Sequence, residues 1–230
     1  MAPQHPEQLA LAIEGNWQVS PAIDPGLLER LYEINLMYLD FLARDPPCHA
    51  EVRAEVESSR YAAAQNRLAQ ELEGLALDSR LILARCPFSL FTARFHDGRF
   101  WGAQLRPSAV RDSAPAFVRS RRADSAATAF ADLALFYAWH VVQANPLAAR
   151  VLLGMVEPTQ AAFRQLPLLH IQQLAREHPD LVMPRWVERL PFWRGLLSLA
   201  HRGIEERLID MRSLGIQMIA AELAANDSVT

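Results

Sequence analysis

Apolar residues recur along this chain mainly at helical spacing. Leu27, Leu31, Ile34, Tyr38 and Phe41 fall on one face, and apolar positions three and four apart mark the buried stripe of an amphipathic helix. Asp24-Pro25-Gly26 opens that helix. Aspartate suits the N-cap, and proline suits the first helical position, where its missing N–H costs no hydrogen bond. Pro46-Pro47 closes it, because proline disfavours helical geometry in the residue before it. The pattern then predicts a more charged helix over 50–72, with Val52, Val56, Ala63 and Leu68 inward, and a short helix over 77–85. Residues 86–101 break the helical period. Phe88, Phe91, Phe95, Phe100 and Trp101, punctuated by His96-Asp97-Gly98, are β-leaning and predict an extended segment.

Beyond a stretch without periodicity, 125–142 reads as a strongly apolar helix. Shorter helices follow over 146–153, which Gly154 ends, and over 158–166 and 167–177. Residues 181–186 read as extended, and helices over 191–200 and 203–225 close the chain. In the last, Ile204, Leu208, Met211, Leu214, Met218 and Ala221 share a face. The fold class expected is all-α.

Self-comparison adds a second level of order. Leu83-Ala84-Arg85 and Leu90-Phe91-Thr92-Ala93-Arg94-Phe95, moved on by 91 positions, meet Leu174-Ala175-Arg176 and Leu181-Val182-Met183-Pro184-Arg185-Trp186. The same offset pairs Leu75 with Leu166 and Leu77 with Leu168. Upstream, an offset of 99 pairs Glu33 with Asp132, Leu36 with Leu135, Tyr38 with Tyr137 and Pro47 with Pro146. The expectation is two similar helical repeats packed as an intramolecular pseudo-dimer, since each copy alone would leave its apolar face uncovered.

Composition narrows the chemistry. Hydrophobic residues make up 51% and charged residues 21%, a globular balance. All 23 basic residues are Arg, so lysine-based phosphate cradles and Schiff bases are excluded. Cys48 and Cys86 are too few for a disulfide framework and read as reduced thiols. Cys48-His49, Cys86 and His96 match no compact zinc spacing. His140, in an apolar helix, reads as a core histidine. No nucleophile-elbow, dinucleotide or zinc-protease motif is present. The expectation is therefore no enzyme, no cofactor and no metal. No basic n-region with an apolar core opens the chain, and no apolar run is long enough to span a membrane, so a soluble, cytoplasmic protein is expected.

The residues also resemble a known family. Leu27-Leu28-Glu29-Arg30-Leu31-Tyr32-Glu33-Ile34-Asn35-Leu36-Met37-Tyr38-Leu39 looks like the opening helix of FlhD, the small helical subunit of the bacterial flagellar transcriptional activator. The stretch from Leu83-Ala84-Arg85 to Arg94-Phe95 resembles the middle of that family. Ala149 to Gly154, then Leu166 to Trp186, resembles it again, and Leu208 to Met218 resembles its C-terminal helix. On this resemblance 22–105 is a first FlhD-like repeat, 106–124 an Arg/Pro/Ser-rich linker, and 125–225 a second repeat with the C-terminal helix. The family often carries a cysteine in the extended segment, able to bridge its dimer; Thr92 and Met183 stand there instead. The resemblance implies a transcriptional regulator or regulatory adaptor that acts by assembling with a DNA-binding, zinc-containing FlhC-like partner. The alternative is a helical small-molecule-binding or interaction protein unrelated to transcription.

Candidate contact residues follow. Arg119, Arg121 and Arg122 in the linker either fork onto DNA phosphates or form a solvated tether. Arg94 and Arg185, one per repeat, either face a partner or DNA, or hold buried carboxylates. Trp101 and Trp193, near loop edges, either anchor a protein partner or fill the core.

Overall fold

The computed structural model describes residues 23–44, 56–105 and 126–227, and the linker arginines Arg119, Arg121 and Arg122 lie outside these, as do Cys48, His49 and Val52. The described chain is predominantly helical with a single two-stranded sheet. Helices α1 (Pro25–Arg44), α2 (Val56–Glu73) and α3 (Leu77–Ala84) lead to strand β1 (Phe91–Thr92) and helix α4 (Gly98–Ala103). Helices α5 (Ala126–Ala144), α6 (Pro146–Leu153), α7 (Glu157–Gln165) and α8 (Leu168–Glu177) follow. A 3-10 turn (Pro179–Leu181), strand β2 (Met183–Pro184) and helices α9 (Leu190–Arg202) and α10 (Glu205–Asp227) complete the order.

Local chemistry explains where these helices stop. Asp24 Oδ1 accepts from Gly26 N (3.1 Å) at the start of α1. Asn145 accepts from Ala148 N (3.1 Å) and Pro146 occupies the first turn of α6. Gly154 and Gly203 end α6 and α9 in the left-handed conformation (φ 63° and 64°), which glycine adopts without a Cβ clash.

Packing joins early and late parts of the chain. α1 lies against α5, and Tyr137 of α5 donates to the Leu27 carbonyl (2.8 Å). Tyr38, Phe41, Phe91 and Phe130 form an aromatic cluster between α1, β1 and α5, with centroids 5.1 Å apart for Tyr38–Phe130 and 5.5 Å for Phe91–Phe130. Such ring pairs add about 1 kcal/mol beyond their buried area. α4 packs on α7, and α9 packs on α2. Gly98 permits the first contact, since a Cβ there would stand 2.5 Å from Pro158 Cβ.

The structure corrects several sequence expectations. The segment 86–101 is not a continuous extended stretch: it holds two strand residues, then a turn, then α4, whose start Asp97 caps by accepting from Phe100 N (2.9 Å). Its aromatic residues are core fillers, which composition alone reads as strand. Residues 181–186 hold the end of the 3-10 turn and two strand residues. Ala63 is exposed. On α10, Leu208, Gly215, Ile219 and Leu223 are buried while Leu214 and Ala221 are exposed, so the inward face is rotated from the one expected. Phe88 sets that rotation. A Cβ on Gly215 would lie 2.3 Å from Phe88 Cζ, so only a bare helix surface admits the ring there.

Candidate functional site

The two strands run antiparallel, with Phe91 opposite Pro184 and Thr92 opposite Met183. Each strand leads into a turn, and the two turns follow one path. Arg94 and Trp186 both have positive φ (53° and 54°), a conformation that costs a bulky residue on the order of 1 kcal/mol or more. Asp97 N donates to the Arg94 carbonyl and Arg189 N to the Trp186 carbonyl, both at 2.8 Å. Trp101 Nε1 donates to the Ala93 carbonyl (3.1 Å), and Trp193 Nε1 to the Arg185 carbonyl (2.8 Å).

These matches run at a spacing of 92, as in Arg94 to Trp186 and Trp101 to Trp193. The sequence offset of 91 had paired Arg94 with Arg185. The backbone pairs Arg185 with Ala93 instead, because one more residue lies between Leu174-Ala175 and β2 than between Leu83-Ala84 and β1.

The candidate contact residues separate accordingly. Trp101 and Trp193 are buried to 0% and 1% exposure, each with its indole N–H spent on a backbone carbonyl. They are core residues and not surface anchors, a correction to the loop-edge expectation. Trp101 stacks on Phe163 at 4.4 Å. Arg94 is at the surface, bonded to Asp97 Oδ2 (2.8 Å) and lying over the Phe100 ring (4.6 Å). Arg185 is 4% exposed and so faces neither partner nor DNA directly; of the two alternatives, the one realised is contact with a carboxylate. His140 is half-buried with Nε2 3.2 Å from Arg30 Nη1, at the edge of the core and not within it.

Among the described residues, Arg185 organises a site with unusual chemistry. Its Nη2 donates to Ser89 Oγ (3.0 Å) and to the Leu153 carbonyl, which ends α6. Its Nη1 lies 3.8 Å from Glu222 Oε2, and its Nε is buried without a hydrogen-bond partner. Glu222, half-exposed on α10, accepts from Trp186 Nε1 through its other oxygen. Burial pushes the Arg185 pKa down to about 10, against the pull of Glu222, so the group stays charged at neutral pH. A cavity of about 600 Å³ opens beside this pair, between β1, β2 and the end of α10.

Sequence reasoning missed Asn35, fully buried on α1. Its Nδ2 reaches the carbonyls of Ala84 (3.2 Å), Cys86 (3.3 Å) and Phe88 (3.0 Å), and its Oδ1 accepts from Leu90 N (2.9 Å), fixing the approach to β1. The available signal was a polar residue spaced four from both Leu31 and Leu39 on an apolar face. Cys86 is buried, and burial raises its thiol to about 11 against the opposing charge of Arg212. Among the described residues no group of three or more His, Cys, Asp and Glu side chains converges as metal ligands would. None of the described helices is long and apolar enough to cross a membrane. Comparison with protein-family models, curated proteins and solved structures returned no match.

Proposed function

We propose that the chain is a cytoplasmic regulatory adaptor of FlhD type, two like helical modules fused in one polypeptide, acting by assembly with a DNA-binding, zinc-containing partner. The observation that carries this reading is the pairing of Thr92 with Met183. By the letter offset of 91 these are the residues standing where the resembled family places a cysteine able to bridge its dimer. At the backbone spacing of 92, Thr92 answers to Pro184 and Met183 to Phe91, so each strand residue pairs with its neighbour's counterpart, as an isologous twofold contact requires, and the strand pair is followed on both sides by the same turn. Two further contacts support it: α4 on α7, and α9 on α2, each joining an early helix to a late one. Arg194 of α9 holds Glu71 of α2 at 3.0 Å across the second of these.

Co-expression with a zinc-containing FlhC-type subunit tests the reading. Light scattering after gel filtration should give a stable complex, and fluorescence anisotropy should give DNA binding by the complex that exceeds either component alone. Absence of a complex, or unchanged DNA affinity within it, removes the proposal. Direct DNA contact through the linker is examined in the same assay. Reversing Arg119, Arg121 and Arg122 should flatten the salt dependence if phosphates are touched, and no binding by the wild-type chain at low salt ends that idea.

The alternative, a helical small-molecule-binding protein, is favoured by one observation, the cavity beside Arg185.

A further inference from the structure

We propose that the cavity beside the strand pair binds a small zwitterion of the α-amino-acid class with an apolar side chain, its carboxylate on Arg185 and its ammonium on Glu222. The proposal stands apart from the regulatory reading and needs no partner subunit.

Two charges here are fixed in place and kept short of each other. Arg185 is held through Nη2 by Ser89 and the Leu153 carbonyl. Glu222 is held through Oε1 by the Trp186 indole. Between them, Nη1 and Oε2 stand 3.8 Å apart, beyond hydrogen-bond length. A desolvated charge without a full set of hydrogen bonds is costly, so the buried Arg185 gains from a ligand carboxylate, while the half-exposed Glu222 presents Oε2 to an ammonium beside it. An α-amino acid carries carboxylate and ammonium on one carbon and presents them side by side. That geometry matches a guanidinium and a carboxylate standing as neighbours.

The rest of the cavity agrees. Gly154 makes room for the guanidinium at the cavity wall, for a Cβ at that position would lie 2.6 Å from Nη1. Leu181, Met183, Pro184 and Val187 contribute apolar wall for a ligand side chain. The volume of about 600 Å³ lies within the range of small-molecule sites. Charge argues against a plain anion. Asp180, Glu188 and Glu222 line the cavity against Arg94 and Arg185, and Arg94 already holds Asp97 at 2.8 Å. A ligand bringing its own positive charge avoids that repulsion.

Isothermal titration calorimetry of the intact chain tests this with four probes: L-leucine, L-phenylalanine, N-acetyl-L-phenylalanine and L-phenylalaninamide. The two zwitterions should bind, and each blocked analogue should bind at least about tenfold more weakly, the loss expected when one charged hydrogen-bonding partner is removed. Glu222→Gln keeps an oxygen for Trp186 and sits on a half-exposed helix face, so the fold should survive. It should weaken L-phenylalanine by about the same factor without weakening the N-acetyl analogue. Equal affinity for zwitterion and blocked analogues, indifference to Glu222→Gln, or no saturable heat from any probe at millimolar concentration overturns the proposal.

Discussion

The turn after β1 and the turn after β2 share φ values, a backbone hydrogen bond and a tryptophan that reaches back to the chain before the turn. Their chemistry differs by one position. In the first turn the guanidinium belongs to the positive-φ residue itself, Arg94, and lies at the surface on Asp97. In the second it belongs to the residue before, Arg185, and lies inside. Adjacent residues of an extended chain point to opposite sides, so a shift of one carries a charge from water to the interior. The interior position in the first turn is Ala93, with 0% exposure. The shared path therefore does not need the buried charge. Arg185 is a property of the second turn alone, and the cavity lies beside it.

Six substitutions put this comparison at risk. The largest effects are expected at the tryptophans. Trp101→Ala and Trp193→Ala should each cost about 3–5 kcal/mol in urea unfolding followed by far-UV circular dichroism. A large disparity between them would mean that the turns are alike in path but not in energetic role. Next comes the arginine pair. Arg185→Met strands the Leu153 carbonyl and should cost about 2–4 kcal/mol, whereas Arg94→Met should stay within about 0.5 kcal/mol. Comparable costs would erase the distinction between the buried and the exposed guanidinium.

A smaller effect is expected at Gly154→Ala, about 1–3 kcal/mol, from its positive φ and the clash with Arg185 Nη1. Repeating it on Arg185→Met should recover part of the loss, since the clash is then gone. The smallest concerns pH. Asp97 is partly desolvated, which favours its acid form, but the Phe100 N–H and the Arg94 charge outweigh this and lower its pKa. A carboxylate lowered on folding stabilises above its unfolded pKa and loses that contribution as pH falls through the folded value. The gap in melting temperature between wild type and Asp97→Asn should be present at neutral pH and close in acid. A gap independent of pH would locate the role of Asp97 in helix capping alone.

Much of the helical order was legible because its signals are local. Pro25 at the first position of one helix and Gly154 at the end of another act within one turn of chain, and the observed helices keep to them. What was not legible depends on partners distant in sequence. Phe88, Phe95 and Trp101 read as strand because aromatic residues favour both sheets and cores, and only the surrounding helices decide between these. The inward face of α10 is chosen by Phe88 against Gly215, a contact that periodicity does not contain. The tryptophans were found as notable residues but misplaced at the surface. Arg185 was found, yet its pairing with Arg94 followed letters, and the backbone follows position. Glu222 drew no attention because a glutamate on a C-terminal helix looks like any solvated one until the Trp186 indole is seen on it.

On the proposed two-module reading, the meeting of Thr92 with Met183 within one polypeptide has a final consequence. When a pair of identical subunits joins in this way, every change in the gene is written twice, and a feature suited to one side must also be tolerated on the other. A continuous chain is released from that rule. Ala93 and Arg185 occupy matched places with unlike side chains, and a device as lopsided as a single charged recess becomes open to selection without a mirror image.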